Sequence, residues 1–257
     1  MDAKIASCER HHGQILEVSL NAPKANVLDA AMMAQLRSLL AVERAGGRRK
    51  AIVLQGAGAH FCFGASVPEH APGQVQAMLP QFHALIDDLL DHPLPILARV
   101  SGNCLGGGFE LALACSLLFA DASARFAVPE IQLGVFPPVA TVLLPALGAG
   151  ALAMRLILSG QAVDATALDA AGLLAAQLPT TAGTAALDDW LQRHLLPHSA
   201  AALRIAHRAA RAPLLAHWRA HIRPAEQLYL GELMATHDAR EGIAAFIERR
   251  PPRWQDA

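Results

Sequence analysis

The chain reads as an α/β fold, and three observations predict it. Over the first two-thirds of the sequence, apolar runs of strand length alternate with segments of helical periodicity. After about residue 183 strand-like runs cease, and Ala, Leu, Arg and His recur with helical spacing. Hydrophobic residues fill 53% of the 257 positions and charged residues 17%. That balance suits one large domain, or a core plus an appendage, with apolar surface left for subunit contacts.

The elements follow in order. Residues 14–20 are expected as a strand that breaks at Asn21, Ala22 and Pro23. Asp29 is expected to N-cap a helix whose apolar positions are Met32, Met33, Leu36, Leu39 and Leu40. A strand at 51–55 comes next. Pro72 and Gly73 precede a helix through Leu79, Phe82, Leu85, Ile86 and Leu89, after which Pro93 and Pro95 lead into a strand at 96–100. Residues 110–118 are expected as a buried helix, 125–128 as a short strand, and 164–171 as a capped helix stopped by Gly172. The tail pattern runs through Leu203, His207, Leu214, Trp218, Ile222, Leu228, Met234, Ile243 and Phe246. Such a tail cannot bury its apolar face alone, so it is expected to pack on the core or on neighbouring subunits.

Charge and cysteine usage narrow the partners. A formal net charge of -1 gives no electrostatic footprint for nucleic acid or for an anionic membrane. The opening residues lack a signal-peptide core, and the most apolar later stretch, residues 105–120, is interrupted by Glu110, so neither a leader nor a membrane span is expected. Cys8, Cys62, Cys104 and Cys115 form no CxxC pair and no dense disulfide framework, which suits a reducing cytoplasm. Twelve histidines contain no HExxH; His11 and His12 lie near a terminus expected to be mobile, and His194, His198, His207, His217, His221 and His237 fall in the tail. No metal is expected. Cys62 and Cys104 lack a histidine in a nucleophile arrangement and are read as packing residues.

The chemistry is expected at two carboxylates. Glu110 is followed at once by Leu-Ala-Leu-Ala-Cys, and Glu130 follows Pro129 in Val-Pro-Glu-Ile. Ionised carboxyls are almost never buried without a partner or a purpose. The run Gly106-Gly107-Gly108 just upstream of Glu110 allows a ligand to approach the main chain and opens a helix, whose free amides favour negative charge. For the glycines alone the plain reading is a tight turn or close helix packing; the glutamate beside them points to a site. A second segment, His60 to Ser66, follows the strand at 51–55 and offers another amide. Two converging amides would make an oxyanion hole, each donor contributing roughly 3 kcal/mol in the transition state.

Four ordered motifs then carry a resemblance over nearly the whole chain: Leu20-Asn21-Ala22-Pro23-Lys24-Ala25-Asn26-Val27-Leu28, Phe61 to Ser66, Gly102 to Glu110, and Pro129-Glu130-Ile131-Gln132-Leu133-Gly134. The sequence resembles the crotonase (enoyl-CoA hydratase/isomerase) superfamily. The resemblance implies a ββα superhelical core over 1–195 holding an acyl-CoA site. It implies a helical trimerisation region over 196–257, and hence a homotrimer or a dimer of trimers. The substrate brings coenzyme A with it, so no separate cofactor is implied.

Within that resemblance Glu110 and Glu130 match the acid/base pair of the hydratases. The oxyanion hole maps onto the amides of Phe63 and Gly107. Lys24, Ala25, Gly64, Ala65, Ser66, Gly106 and Pro129 match positions along the acyl-CoA. Ser66 stands where many relatives have Asp, so no carboxylate role carries over there. After Gly134 the chain departs from common enoyl-CoA hydratases, reading Val135-Phe136-Pro137-Pro138-Val139-Ala140-Thr141. That segment, with residues 63–70 and 232–238, is similar to the dienoyl-CoA hydratases of anaerobic benzoyl-CoA degradation. Hydration of cyclohexa-1,5-diene-1-carbonyl-CoA to 6-hydroxycyclohex-1-ene-1-carbonyl-CoA is therefore implied, with a linear short-chain enoyl-CoA as the alternative substrate. A non-catalytic acyl-CoA- or RNA-binding member of the fold is the reading of a different class; both glutamates and the near-zero charge speak against it. Phe63, Val135, Phe136 and Val139 read either as a flat slot for a planar ring or as plain core. Glu69 and His70 could reach the acyl pocket, but a solvated loop after Pro68 is the preferred reading.

Overall fold

Short runs rich in Ile, Val and Leu pair side by side because strands buried on both faces need apolar residues at every position. The structure, a computed structural model, describes residues 3–22, 24–45, 47–71, 73–181 and 183–257. It begins with the hairpin β1 (Ile5–Arg10) and β2 (Ile15–Leu20), then α1 (Ala30–Glu43), β3 (Ala51–Gly56), α2 (Val75–Leu90) and β4 (Ile96–Val100). It continues through β5 (Asn103–Leu105), α3 (Gly107–Ala114), β6 (Leu117–Asp121), β7 (Arg125–Ala127), α4 (Pro138–Ala146) and α5 (Gly150–Ser159). The rest is β8 (Val163–Asp164), α6 (Ala165–Ala170), β9 (Ala176–Leu178), α7 (Gly183–His194), α8 (Ala200–Gln227) and α9 (His237–Ile247).

The main sheet has the order β1-β2-β3-β4-β6-β9 and is parallel except for the β1–β2 hairpin. A second, small sheet, β5-β7-β8, sits beside it. Alternation along the strands divides the interior in two. Leu16, Val18, Ile52, Leu54, Ile96 and Ala98 face the large core that also holds α1 to α4, whereas Ile15, Val53, Leu97 and Phe119 face Leu187 and Leu191 of α7. The Asp29 side chain caps α1 by accepting from the Met32 amide, and Asp164 caps α6 by accepting from Ala167, both as the sequence predicts.

Three expectations need correction. β1 has no counterpart in the sequence reading, because this edge strand is largely exposed and its Ala-Ser-Cys-Glu centre shows no apolar alternation. His11 and His12 form, with Gly13, the left-handed turn of the hairpin, and His11 Nε2 lies 2.7 Å from Asp188 of α7, so this is a tethered corner rather than a mobile terminus. The helix expected at 110–118 starts at Gly107 and ends at Ala114; Leu117 and Leu118 already belong to β6. A fully apolar run carries no period that separates a buried helix from a buried strand, which is why the two merged. Pro23 and Pro72, assigned a strand break and a helix approach, lie outside the described residues.

The helical tail packs on the chain's own core. α8 crosses α2 and α4, burying Trp218 and Ile222, and α9 returns to bury Ala239 and Ile243 in the same apolar cluster. Between α2 and α8, the buried His83 meets Glu226 at 2.6 Å and packs edge-on against Trp218. Ile205, Phe246 and Ile247 of this region stay exposed. No described helix is long and apolar enough to cross a membrane.

Candidate active site

The chain between β5 and α3 is shaped by what surrounds its glycines. Gly106 has φ +48°, a conformation costly for any side chain, and a Cβ there would lie 2.5 Å from Glu130 Oε1. Its amide donates to the Ala127 carbonyl of β7 at 2.8 Å, which fixes the entry into α3. Gly108 answers the plain reading instead: a Cβ there would sit 2.6 Å from Cys62 Cβ, so its lack of a side chain lets α3 pack against the loop after β3. One glycine clears space for a carboxylate, the other for close packing.

Glu110 lies in the first turn of α3, an element buried along its whole length, and is only 3% exposed. Its Oε1 accepts a 2.8 Å hydrogen bond from the Ala140 amide. That amide is free because α4 begins at Pro138, which supplies a preset helical φ and needs no donor of its own. Pro137 and Pro138, part of the departure after Gly134, thus aim a helix N-terminus at Glu110. Burial pushes the Glu110 pKa up to about 7, with the Ala140 and Val139 amides working in the opposite direction.

Glu130 is carried by a 3-10 turn, Pro129–Leu133, which ends at the left-handed Gly134. Its Oε2 is buried and has no hydrogen-bond partner among the described residues. Burial first, and the charge of Glu110 second, raise its pKa well above the usual carboxylate range. Two buried acids under mutual repulsion favour the singly ionised state, in which one proton is shared over the pair.

Both carboxylates line a partly open cavity whose other walls are mostly apolar. α2 contributes Met78, Leu79 and Phe82; the segment after Glu130 contributes Leu133, Val135 and Phe136; the tail contributes Tyr229 and Ile243. The chain's own tail therefore closes its own cavity. Phe63 also lines it, held edge-on to His60 at 5.0 Å between ring centroids, whereas Val139 is fully buried core. His70 lines it too, anchored through Nδ1 to the Ser66 carbonyl at 2.9 Å, so the stretch after Pro68 is a short 3-10 turn rather than a solvated loop. Glu69 instead accepts from the Ala30 amide at 3.3 Å.

One expected donor is already committed. The Phe63 amide donates to the Ala25 carbonyl at 2.9 Å, so it is not free for a ligand. The Ala65 amide has no hydrogen-bond partner among the described residues, and its nitrogen would lie only 3.0 Å from a Cβ built on Gly107. Ala65 and Gly107 thus bring two backbone N–H groups together at the cavity wall, Gly107 at the N-terminus of α3. Gly64, Gly106 and Pro129 also line the cavity; Lys24, Ala25 and Ser66 do not. Lys24 is exposed, and Ala25 serves by fixing the Phe63 backbone.

Burial makes Cys62, Cys104 and Cys115 poor nucleophiles, since the Cys62 and Cys115 thiols are pushed up to about 12 and Cys104 well above its usual value. Among the described residues no cluster of His, Cys, Asp and Glu could hold a metal ion. The residue missed by sequence reasoning is Tyr229, buried at 1% exposure in the cavity. It is the sole tyrosine of the chain, but nothing in the helical spacing around it marks it as a site residue.

Comparison with known proteins places this geometry in context. A sequence profile of the enoyl-CoA hydratase/isomerase family matches residues 10–257. The chain is 43% identical over 244 residues to cyclohexa-1,5-dienecarbonyl-CoA hydratase of Thauera aromatica, covering 95% of this chain and 94% of the relative. It is 32% identical over 246 residues to 2,3-dehydroadipyl-CoA hydratase of Escherichia coli, covering 93% and 94% of the two chains. A crystal structure of an enoyl-CoA hydratase from Mycobacterium avium subsp. paratuberculosis superposes with a TM-score of 0.86 at 25% identity, covering 99% of both chains.

Proposed function

This chain belongs to the enoyl-CoA hydratase/isomerase family and is a hydro-lyase, and from that premise we propose that it adds water to cyclohexa-1,5-diene-1-carbonyl-CoA, giving 6-hydroxycyclohex-1-ene-1-carbonyl-CoA. The observation that carries the proposal is the pairing of Glu110 and Glu130 in an apolar cavity that also presents the Ala65 and Gly107 amides. The relative at 43% identity, a cyclohexa-1,5-dienecarbonyl-CoA hydratase, supports the ring substrate. So do the Phe63, Val135 and Phe136 side chains, which give the cavity apolar walls suited to a planar ring.

The thioester oxygen accepts from the Ala65 and Gly107 amides, and the helix N-terminus behind Gly107 stabilises the enolate charge that develops there. A water molecule sits between the two carboxyl groups. The ionised carboxylate takes a proton from that water as its oxygen bonds to the ring, and the shared proton of the pair is delivered to carbon, so one water is consumed and the pair ends with the one proton it began with. A pair in which burial raises both carboxyls, and the charge of Glu110 raises Glu130 further, keeps one proton beside one carboxylate and is suited to this double duty.

The test is turnover of the cyclic dienoyl-CoA against crotonyl-CoA by the same preparation. Preference for the cyclic thioester is expected. Efficient hydration of the linear substrate alone would replace the ring reading by a short-chain hydratase, and hydration of neither would remove the proposal.

A further inference from the structure

We propose that Tyr229 is a third catalytic residue, whose hydroxyl donates a hydrogen bond to the oxygen of the reacting water and then to the product hydroxyl which that oxygen becomes. The proposal rests on the hydratase reading above and adds a residue to it. Tyr229 is 1% exposed, and its phenolic oxygen is buried without a hydrogen-bond partner among the described residues. Leaving a buried hydroxyl unpaired is costly, so a fold that keeps one in a ligand cavity withholds that bond for the ligand. In the same cavity Glu130 Oε2 is likewise unpartnered. The phenol can donate, and the carboxylate oxygen accepts when Glu130 is the ionised member of the pair. Together they complement a molecule that both accepts and donates, which is what a water or an alcohol does and a hydrocarbon ring does not.

The local backbone explains how the side chain arrives there. Tyr229 lies in a π-helical turn, Leu228–Glu232, inserted where α8 ends. The extra residue of a π turn shifts the helical phase and turns a side chain away from the face the preceding helix would give it. The ring then packs edge-on against Phe136, 5.4 Å between centroids, so the segment after Gly134 holds the phenol in the cavity. Burial first, then the charges of Glu130 and Glu110, raise the phenol pKa, and the group stays a neutral donor. It transfers no proton in the reaction; the glutamates do.

The experiment compares Tyr229→Phe with the wild type in three measurements. With the dienoyl-CoA, kcat is expected to fall about 10- to 100-fold while KM changes little, as for loss of one hydrogen bond to a charged or reacting oxygen. Affinity for the hydroxylated product is expected to weaken by a similar factor, with affinity for the saturated ring thioester, which has no hydroxyl, unchanged. The melting temperature is expected to rise by about 2–4 °C, because an unpaired buried hydroxyl has been removed. An active wild type with an equally active Tyr229→Phe variant overturns the proposal alone. Equal weakening of both ligands also overturns it, since that marks a mere cavity wall. An inactive wild type overturns the hydratase reading together with it. Independently of any variant, a wild type that binds the hydroxylated product no more tightly than the saturated thioester overturns the role of Tyr229.

Discussion

Glu110 and Glu130 in the cavity, and Asp238 and Glu241 on α9, are the same chemical groups under opposite treatment. Glu241 receives Arg250 and the Arg253 amide, and its pKa falls to about 2; Asp238 receives His237 and the Gln255 and Asp256 amides and is lowered as well. These carboxylates are saturated with donors and tie the final residues of the chain back onto α9. In the cavity, Glu110 has backbone donors on one side and Glu130 Oε2 has none, so burial dominates and both are raised. A carboxylate given all its partners becomes a fastener. One denied them keeps its proton poised for chemistry, at a cost that the surrounding core must offset.

The largest effect that could break this contrast is on turnover. Glu110→Gln and Glu130→Gln keep the shape of the side chain but cannot exchange a proton, so each is expected to lower hydration by about 10²- to 10⁴-fold. Folding is expected to persist, because a neutral amide replaces a group whose charge the site disfavours. Steady-state hydration alongside a thermal melt checks both halves. Unchanged turnover in both variants would put these carboxylates in the same structural role as those on α9.

How much of this was legible in the sequence follows from the same physics. Glu110 and Glu130 stood out because a charge inside an apolar run has few innocent explanations, and β3 and β4 stood out because centrally paired parallel strands are continuously apolar. β1 was invisible because an exposed edge strand bears no such constraint. Ala65 as a free donor was not legible, because whether a backbone amide is free depends on what lies across from it, for the expected donor Phe63 the Ala25 carbonyl, and side-chain identity does not record that. Tyr229 lay in a tail whose periodicity spoke only of packing; a π turn leaves no strong sequence mark.

A smaller effect tests the space around the unpartnered carboxylate. Gly106→Ala forces a side chain into a φ of +48° and places its Cβ 2.5 Å from Glu130 Oε1. The strained backbone is expected to cost about 1–3 kcal/mol in chemical denaturation. Displacing Glu130 by a fraction of an ångström to an ångström is expected to reduce turnover by up to about 100-fold. Full activity in a destabilised variant would show that the position of Glu130 is loosely specified, and would weaken the contrast with the tightly tethered Glu241.

The smallest effect, and the one that separates the two pairs most directly, is the dependence of stability on pH. For Glu110 the folded pKa of about 7 lies above the ordinary 4.5, so between those values the folded state holds more protons than the unfolded one. Its contribution is therefore full below pH 4.5 and is lost as pH rises through about 7, with a slope of at most about 1.4 kcal/mol per pH unit. Glu241 has the reverse sign: lowered to about 2, it contributes above pH 4.5 and that contribution is lost as pH falls toward 2. Urea denaturation from pH 3 to 8 is expected to show Glu110→Gln flattening only the decline above pH 4.5. Glu241→Gln is expected to flatten only the rise below it, and by less, since an ion pair at the protein edge is screened. If both variants altered the same limb, one of the two pairs would have been assigned the wrong environment, because a raised and a lowered carboxylate cannot share a sign of linkage.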